Sequence, residues 1–155
     1  MKSPAGFLFL SGFCFWTIVE AKVKIAFEKA GGLVPAIVQD FLTGDVLMLG
    51  FMNEVALAET QRMGEVVFFS RSRNKLWKKG ESSGHVLKVR ELRIDCDADA
   101  ILARVEAIGP GVCHEGYRSC FFRKLEADGE VRVTEQKTFE PESVYDGAKS
   151  AGEKR

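Results

Sequence analysis

Residues 86–94 alternate apolar with charged side chains and run straight into Asp95-Cys96-Asp97-Ala98-Asp99. A period of two marks a strand with one buried face, so this segment must border a core and deliver carboxylates and a thiol at its end. If the strand continued through the acidic stretch, Asp95, Asp97 and Asp99 would share one face and Cys96 would point to the other. Three like charges on one face repel unless a cation intervenes. The plainer alternative is a solvated acidic turn. The spacing to Glu106 also fits an EF-hand loop, but Ala100 stands where that loop needs glycine and the flank reads as strand, which excludes it.

A second cluster follows at Cys113-His114-Glu115-Gly116-Tyr117-Arg118-Ser119-Cys120. Hard carboxylate oxygens suit Mg²⁺ and soft thiolates suit Zn²⁺, so two different metal sites are expected. Three thiols from two segments leave the fourth zinc position open, and an open position brings the pKa of bound water down to about 7. That chemistry points to hydrolysis. His114 reads as a general base beside that water or as a fourth ligand that closes the site. His85, the other histidine, has a weaker claim.

Of the four cysteines, three lie among Asp and His in these clusters, which favours metal over disulfides in a reducing compartment. Cys14 lies in an apolar run and is read as inert. Lys+Arg 22 against Asp+Glu 22 leaves no excess charge to seek a polyanion, so a small substrate is expected rather than nucleic acid. With 46% hydrophobic and 28% charged residues the chain is globular, and its length suits one domain.

Residues 1–21 form an aromatic-rich apolar run behind Lys2. It is too short for a membrane span, and Glu20 fits a signal-peptide cleavage region poorly. It is read as an unmatched extension or an upstream start, ahead of a domain at 22–140 and a flexible tail at 141–155. Val23, Ile25 and Phe27 alternate like a strand, and Gly31-Gly32 turns into a second strand at 33–42. Thr43-Gly44-Asp45 signals a hairpin into a buried strand at 46–52. Asn53 is a helix N-cap, with apolar residues at 55, 57 and 58 and Gly64 as the stop. Strands are expected at 66–70, 86–94 and 100–107, and a hairpin of 121–125 with 131–134 around Asp128-Gly129. The outcome is an α+β fold, mainly antiparallel sheet with one principal helix.

Two neighbouring loops, residues 71–75 and 78–85, gather cations, hydroxyls and glycines of the kind a phosphate needs. Solvated surface is the ordinary alternative for such loops. Trp77 between them is suited to stacking on a base or to covering the edge of the core.

Taken together, Val34-Pro35-Ala36-Ile37-Val38-Gln39-Asp40, Leu47-Met48-Leu49 with Met52-Asn53, Ser70-Arg71-Ser72-Arg73, Leu76-Trp77-Lys78-Lys79-Gly80-Glu81, Asp95-Cys96-Asp97-x-Asp99 and Gly109-Pro110-x-x-Cys113-His114 through Ser119-Cys120-Phe121 resemble the phosphoribosyl-AMP cyclohydrolases of histidine biosynthesis. The resemblance implies a cytoplasmic, intertwined homodimer in which Cys96, Cys113 and Cys120 bind Zn²⁺ across the subunit interface and Asp95, Asp97 and Asp99 bind Mg²⁺. It implies hydrolysis of the N1–C6 bond of the adenine ring, with His114 moving protons and Arg71, Arg73, Trp77, Lys79, Ser82 and His85 contacting substrate. No redox cofactor is expected. Many members carry His-Tyr-Tyr where this chain has Val67-Phe68-Phe69, so no role is carried over there. The segment after Phe122 is short for the fused pyrophosphohydrolase domain of many relatives, so the preceding step is expected of another protein. A zinc deaminase of another nucleotide, which would release ammonia, and a non-catalytic zinc module with a saturated metal are the competing readings.

Overall fold

The computed structural model describes residues 24–144, so the expectations for residues 1–21 and for most of the tail lie outside the described residues. A four-stranded sheet forms the body, from β1 (Val34–Asp40), β2 (Val46–Met52), β5 (Leu87–Ile94) and β6 (Ile101–Ala107), in the order β2-β1-β6-β5. The β1–β2 and β5–β6 pairs are antiparallel, as their short connections require, while β1 and β6 run parallel. Beside this sheet lie a hairpin of β3 (Val67–Ser70) with β4 (Lys75–Lys78) and a second hairpin of β7 (Arg123–Leu125) with β8 (Val131–Val133). The α+β class and the antiparallel bias agree with the sequence.

The two central strands show why. Val34, Ala36 and Val38 on β1 and Ile101, Ala103 and Val105 on β6 are buried at every second position. They meet Leu47, Met48, Met52, Phe68 and Leu87 in one core. Each fully buried aliphatic or aromatic side chain contributes about 1.5–3 kcal/mol.

The helix α1 (Glu54–Met63) begins at Asn53, whose Oδ1 accepts from the Ala56 N–H at 2.8 Å, and ends at left-handed Gly64. Its buried face differs from the expected one. Ala56 and Thr60 point inward and Leu57 packs against the core as expected, while Val55 is 56% exposed and Ala58 faces solvent, so small side chains carry most of the buried face. Thr60 remains satisfied in the core because its Oγ1 donates to the Ala56 carbonyl at 2.8 Å and accepts from the Val67 N–H at 3.0 Å.

Two local expectations need correction. The region of Ile25 and Phe27 is not a strand: Phe27–Ala30 is a 3₁₀ turn, and the chain before it makes a backbone bond from Ala26 N–H to the Ala98 carbonyl at 2.7 Å. The alternation there reflects Ile25 and Phe27 packing against the core from a turn. The short strand β4 was not expected, because Lys-Leu-Trp-Lys is too brief and too charged to show a period.

Candidate active site

The thiol loop is built by backbone and hydroxyl bonds. The Val112 N–H donates to the Arg118 carbonyl and the Cys113 N–H to the Tyr117 carbonyl, both at 3.1 Å, folding residues 112–118 back on themselves. The far end is fastened to β2: the Cys120 N–H donates to the Leu47 carbonyl at 2.8 Å, and Ser119 Oγ donates to the Val46 carbonyl at 2.8 Å while accepting from the Phe121 N–H at 2.9 Å. Tyr117 stacks flat on Phe122, ring centroids 3.6 Å apart, and closes the loop. Ser119 was not singled out from the sequence, since an isolated serine between two candidate residues carries no signal of its own.

This folding makes neighbours of the Cys113 and Cys120 thiols, close enough for Cys113 to act on the ionisation of Cys120. Cys113 is 3% exposed, so its sulfur is a protein-facing donor rather than a reactive surface thiol. Burial pushes the Cys120 thiol up to about 12; Cys113 adds to the shift, and the Lys79 ammonium beside the pair opposes it. Burial likewise holds Lys79 below the usual lysine range, against the pull of the two thiols. A lysine 7% exposed next to two sulfurs is a ready counter-charge for thiolates.

Cys120 opens onto a cleft of about 350 Å³ lined also by Arg73, Trp77, Lys79, Ser82 and His114, with Met48, Val112 and Glu81 among the remaining wall residues and Cys113 buried behind it. The two basic loops and the thiol loop, remote in sequence, therefore meet in one cavity. Trp77 plays both parts open to it, resting against Phe68 at 5.0 Å between centroids and also lining the cleft.

Two expected substrate contacts fall elsewhere. Arg71 stacks over the Phe51 ring at 3.8 Å in an adjoining shallow depression with Ser70 and Ser72, beyond Trp77. His85 is buried, with Nδ1 donating to the Gly111 carbonyl at 2.9 Å, and does not line the cleft. The reason is local: the loop of residues 79–85 turns back at its end, so that Lys79 and Ser82 reach the cavity and His85 goes beneath it.

The acidic stretch is not a continuation of β5. The strand stops at Ile94, and Asp95 Oδ1 accepts from the N–H groups of Asp99 and Ala100, each at 3.0 Å, making a turn with Ala98 in the left-handed region. The expected split into opposite faces is thereby replaced by a knot of side chains, in which the oxygens of Asp95, Asp97 and Asp99 all lie within 4.8 Å of one another. Burial and the charges of Asp97 and Asp95 raise the Asp99 pKa. Asp97 is held low by Lys29, whose Nζ donates to Asp97 Oδ2 at 3.0 Å and to the Asp97 carbonyl at 2.9 Å. Lys29 comes from the 3₁₀ turn, a partner the sequence did not reveal.

Cys96 lies in this exposed turn, its sulfur 4.0 Å from Asp97 Oδ1. Among the described residues of one chain, no third thiol, imidazole or carboxylate completes a cluster with Cys113 and Cys120. The donors fit their ions in kind: paired sulfurs beside a cation for zinc, and three converging carboxylates for a hard cation.

A model of the phosphoribosyl-AMP cyclohydrolase family matches residues 48–122, from β2 to the end of the thiol loop. Among similar proteins, the phosphoribosyl-AMP cyclohydrolase of Solibacter usitatus is 55% identical over 125 residues, covering 81% of this chain and 98% of its own. That of Desulforapulum autotrophicum is 53% identical over 123 residues, 79% of this chain and 98% of its own. That of Methanosarcina barkeri is 52% identical over 120 residues, 77% of this chain and 89% of its own.

Proposed function

Because the chain belongs to the phosphoribosyl-AMP cyclohydrolase family, we propose that it hydrolyses the N1–C6 bond of the adenine ring in 1-(5-phosphoribosyl)-AMP, a step of histidine biosynthesis, in the cytoplasm. The observation that carries this reading is the near full-length match to relatives of that name, at a level where the cleft-lining loops fall inside the matched segment.

Alkylation at N1 leaves the purine electron-poor at C6, so water adds there. The electron pair of the N1–C6 bond passes to N1, the water oxygen becomes the carboxamide oxygen, and the exocyclic amine stays as the amide nitrogen. His114, exposed on the cleft wall, takes a proton from the water and returns one to N1. Lys79 offers positive charge to the oxygen developing at C6 and to the thiolates below it. Arg73 and Ser82 hold phosphate or ribose oxygens, and Trp77 presents its ring to the base. Arg71 grips a more distant part of the substrate from its own depression.

Cys113, Cys120 and the partner subunit's Cys96 would hold zinc, which would supply a water nucleophile at neutral pH. The separation of Cys96 from the other thiols within one copy supports a site shared between two copies of the chain, with the homodimer as the working unit. Asp95, Asp97 and Asp99 would hold Mg²⁺, which would supply positive charge for substrate oxygens.

A spectrophotometric assay with phosphoribosyl-AMP, run with and without chelator, tests the reading. Chelator-sensitive ring opening without ammonia release is expected, and ammonia release would replace it with a deaminase. His114→Ala should keep its zinc and slow turnover roughly 10²–10⁴-fold. Loss of zinc in that variant would make His114 a ligand instead.

A further inference from the structure

The cleft has two walls from separate parts of the chain, and one buried side chain outside the proposed reaction is fastened to both. The first wall is the loop that carries Lys79 and Ser82, and His85 ends it. Its N–H donates to Ser83 Oγ at 3.2 Å. At Gly80, an added Cβ would lie 2.6 Å from the His85 carbonyl carbon, so the loop is closed tightly on this residue. The second wall carries Val112, His114 and Cys120. His85 reaches it through Nδ1–H, which donates to the Gly111 carbonyl at 2.9 Å, just ahead of the thiol loop. A carbonyl only accepts, so the proton is on Nδ1.

Two more contacts hold the ring. Gly109, at φ +101°, has no room for a side chain, since a Cβ there would sit 2.7 Å from His85 Cδ2. The edge of Phe139 meets the ring at right angles, 4.8 Å between centroids. Phe139 belongs to a segment bound to the thiol loop itself, because the Thr138 and Phe139 N–H groups both donate to the Gly116 carbonyl.

We propose that His85 is a positioning residue, setting the distance between the wall that carries Lys79 and Ser82 and the wall that carries His114 and the thiols. A flat ring with one in-plane donor fixes both separation and direction, which an aliphatic filler cannot do. His85 touches neither substrate nor thiol, so its influence falls on the alignment of groups that do. Its effect on turnover rests on the cyclohydrolase reading; its effect on metal retention does not.

The test compares His85→Ala with His85→Asn, whose amide nitrogen can occupy the place of Nδ1. For each, thermal unfolding, zinc retention in chelator competition, and kcat and KM for phosphoribosyl-AMP are measured on the zinc-loaded protein. His85→Ala is expected to lose roughly 10–100-fold in kcat with KM changed less, as a displacement of about 1 Å between reacting groups produces. It should also surrender zinc to chelator more readily, and His85→Asn should recover most of both. A folded His85→Ala with wild-type kcat and wild-type zinc retention overturns the proposal, as does a His85→Asn no better than alanine. Should His85→Ala not fold, His85→Asn decides alone: turnover near wild type supports positioning, and a folded but nearly inactive protein overturns it. A wild-type protein that does not act on phosphoribosyl-AMP would defeat the activity reading while leaving the zinc comparison standing.

Discussion

The thiol pair and the acidic turn are both metal-binding chemistry in kind, yet the chain builds them in opposite ways. Cys113 and Cys120 are set in a loop bonded to β2 and held by stacked rings, with Cys113 buried in protein and Cys120 open to the cleft. Asp95 and Asp97 stand in solvent and Asp99 half-buried at the end of β5, arranged by one Asx turn and answered by a surface lysine. Donors packed against protein obtain geometry from it at a cost in desolvation, which reaches even the Cys120 thiol at the cleft edge. Donors nearer solvent lose less hydration, with Asp99 the one raised by its surroundings, and their arrangement is only as firm as a local turn. The thiol site should therefore be the more sensitive to substitution and the acidic site the more sensitive to its ionic surroundings.

The hardest blow to this contrast is Cys120→Ser. Zinc and turnover should both disappear, with activity down by about three orders of magnitude or more; full activity in a demonstrably zinc-free variant would sink the thiol-based mechanism. Next in size is Ser119→Ala, which strips the hydroxyl joining the thiol loop to β2 and leaves part of the bonding of the Val46 carbonyl and Phe121 N–H unmet. A loss of about 1–3 kcal/mol in chemical denaturation is expected, and an unchanged midpoint would mean that the backbone bonds alone hold the loop.

A smaller effect follows from pH in the metal-free protein. The unfolded Cys120 thiol ionises near pH 8.5, whereas the folded one stays protonated up to about 12. Between these values the folded state binds more protons, so stability falls as pH rises through this window and the contribution is complete below it. Denaturation midpoints of wild type and Cys120→Ser, compared across alkaline pH, should diverge in slope; parallel curves would contradict a crowded thiol. The mildest change is Lys29→Ala. Removing the cation that answers Asp97 leaves the site more anionic, so it should tighten Mg²⁺ binding a few-fold and raise its salt sensitivity, measured by titration calorimetry, and weaker binding would make Lys29 a support of the ion rather than its rival.

Much of this was readable beforehand. The alternation at 34–38 and 101–105, the Asn53 and Gly64 ends of the helix, and the turn at Thr43-Gly44-Asp45 declare themselves because each depends on neighbours within a few residues. The motif residues Arg73, Trp77, Lys79, Ser82, His114 and Cys120 were legible as types suited to one substrate, and they do line one cavity. Arg71 and His85 belonged to the same motifs but have different surroundings, since a motif records residue identity and not the direction in which a side chain points. The acidic stretch resisted for a related reason: alternation in sequence looks the same whether the backbone stays extended or curls at Ala98.

By itself, then, the order of residues determined the elements, the donor chemistry and the family, all of which follow from local periodicity or from matched motifs. Only the tertiary structure decided that β1 and β6 run parallel, that Lys29 meets Asp97, that Ser119 ties the thiol loop to β2, and that Cys96 stands apart from the other two thiols. Those are contacts between segments far apart along the chain, selected by how the whole core packs, and no local pattern encodes them.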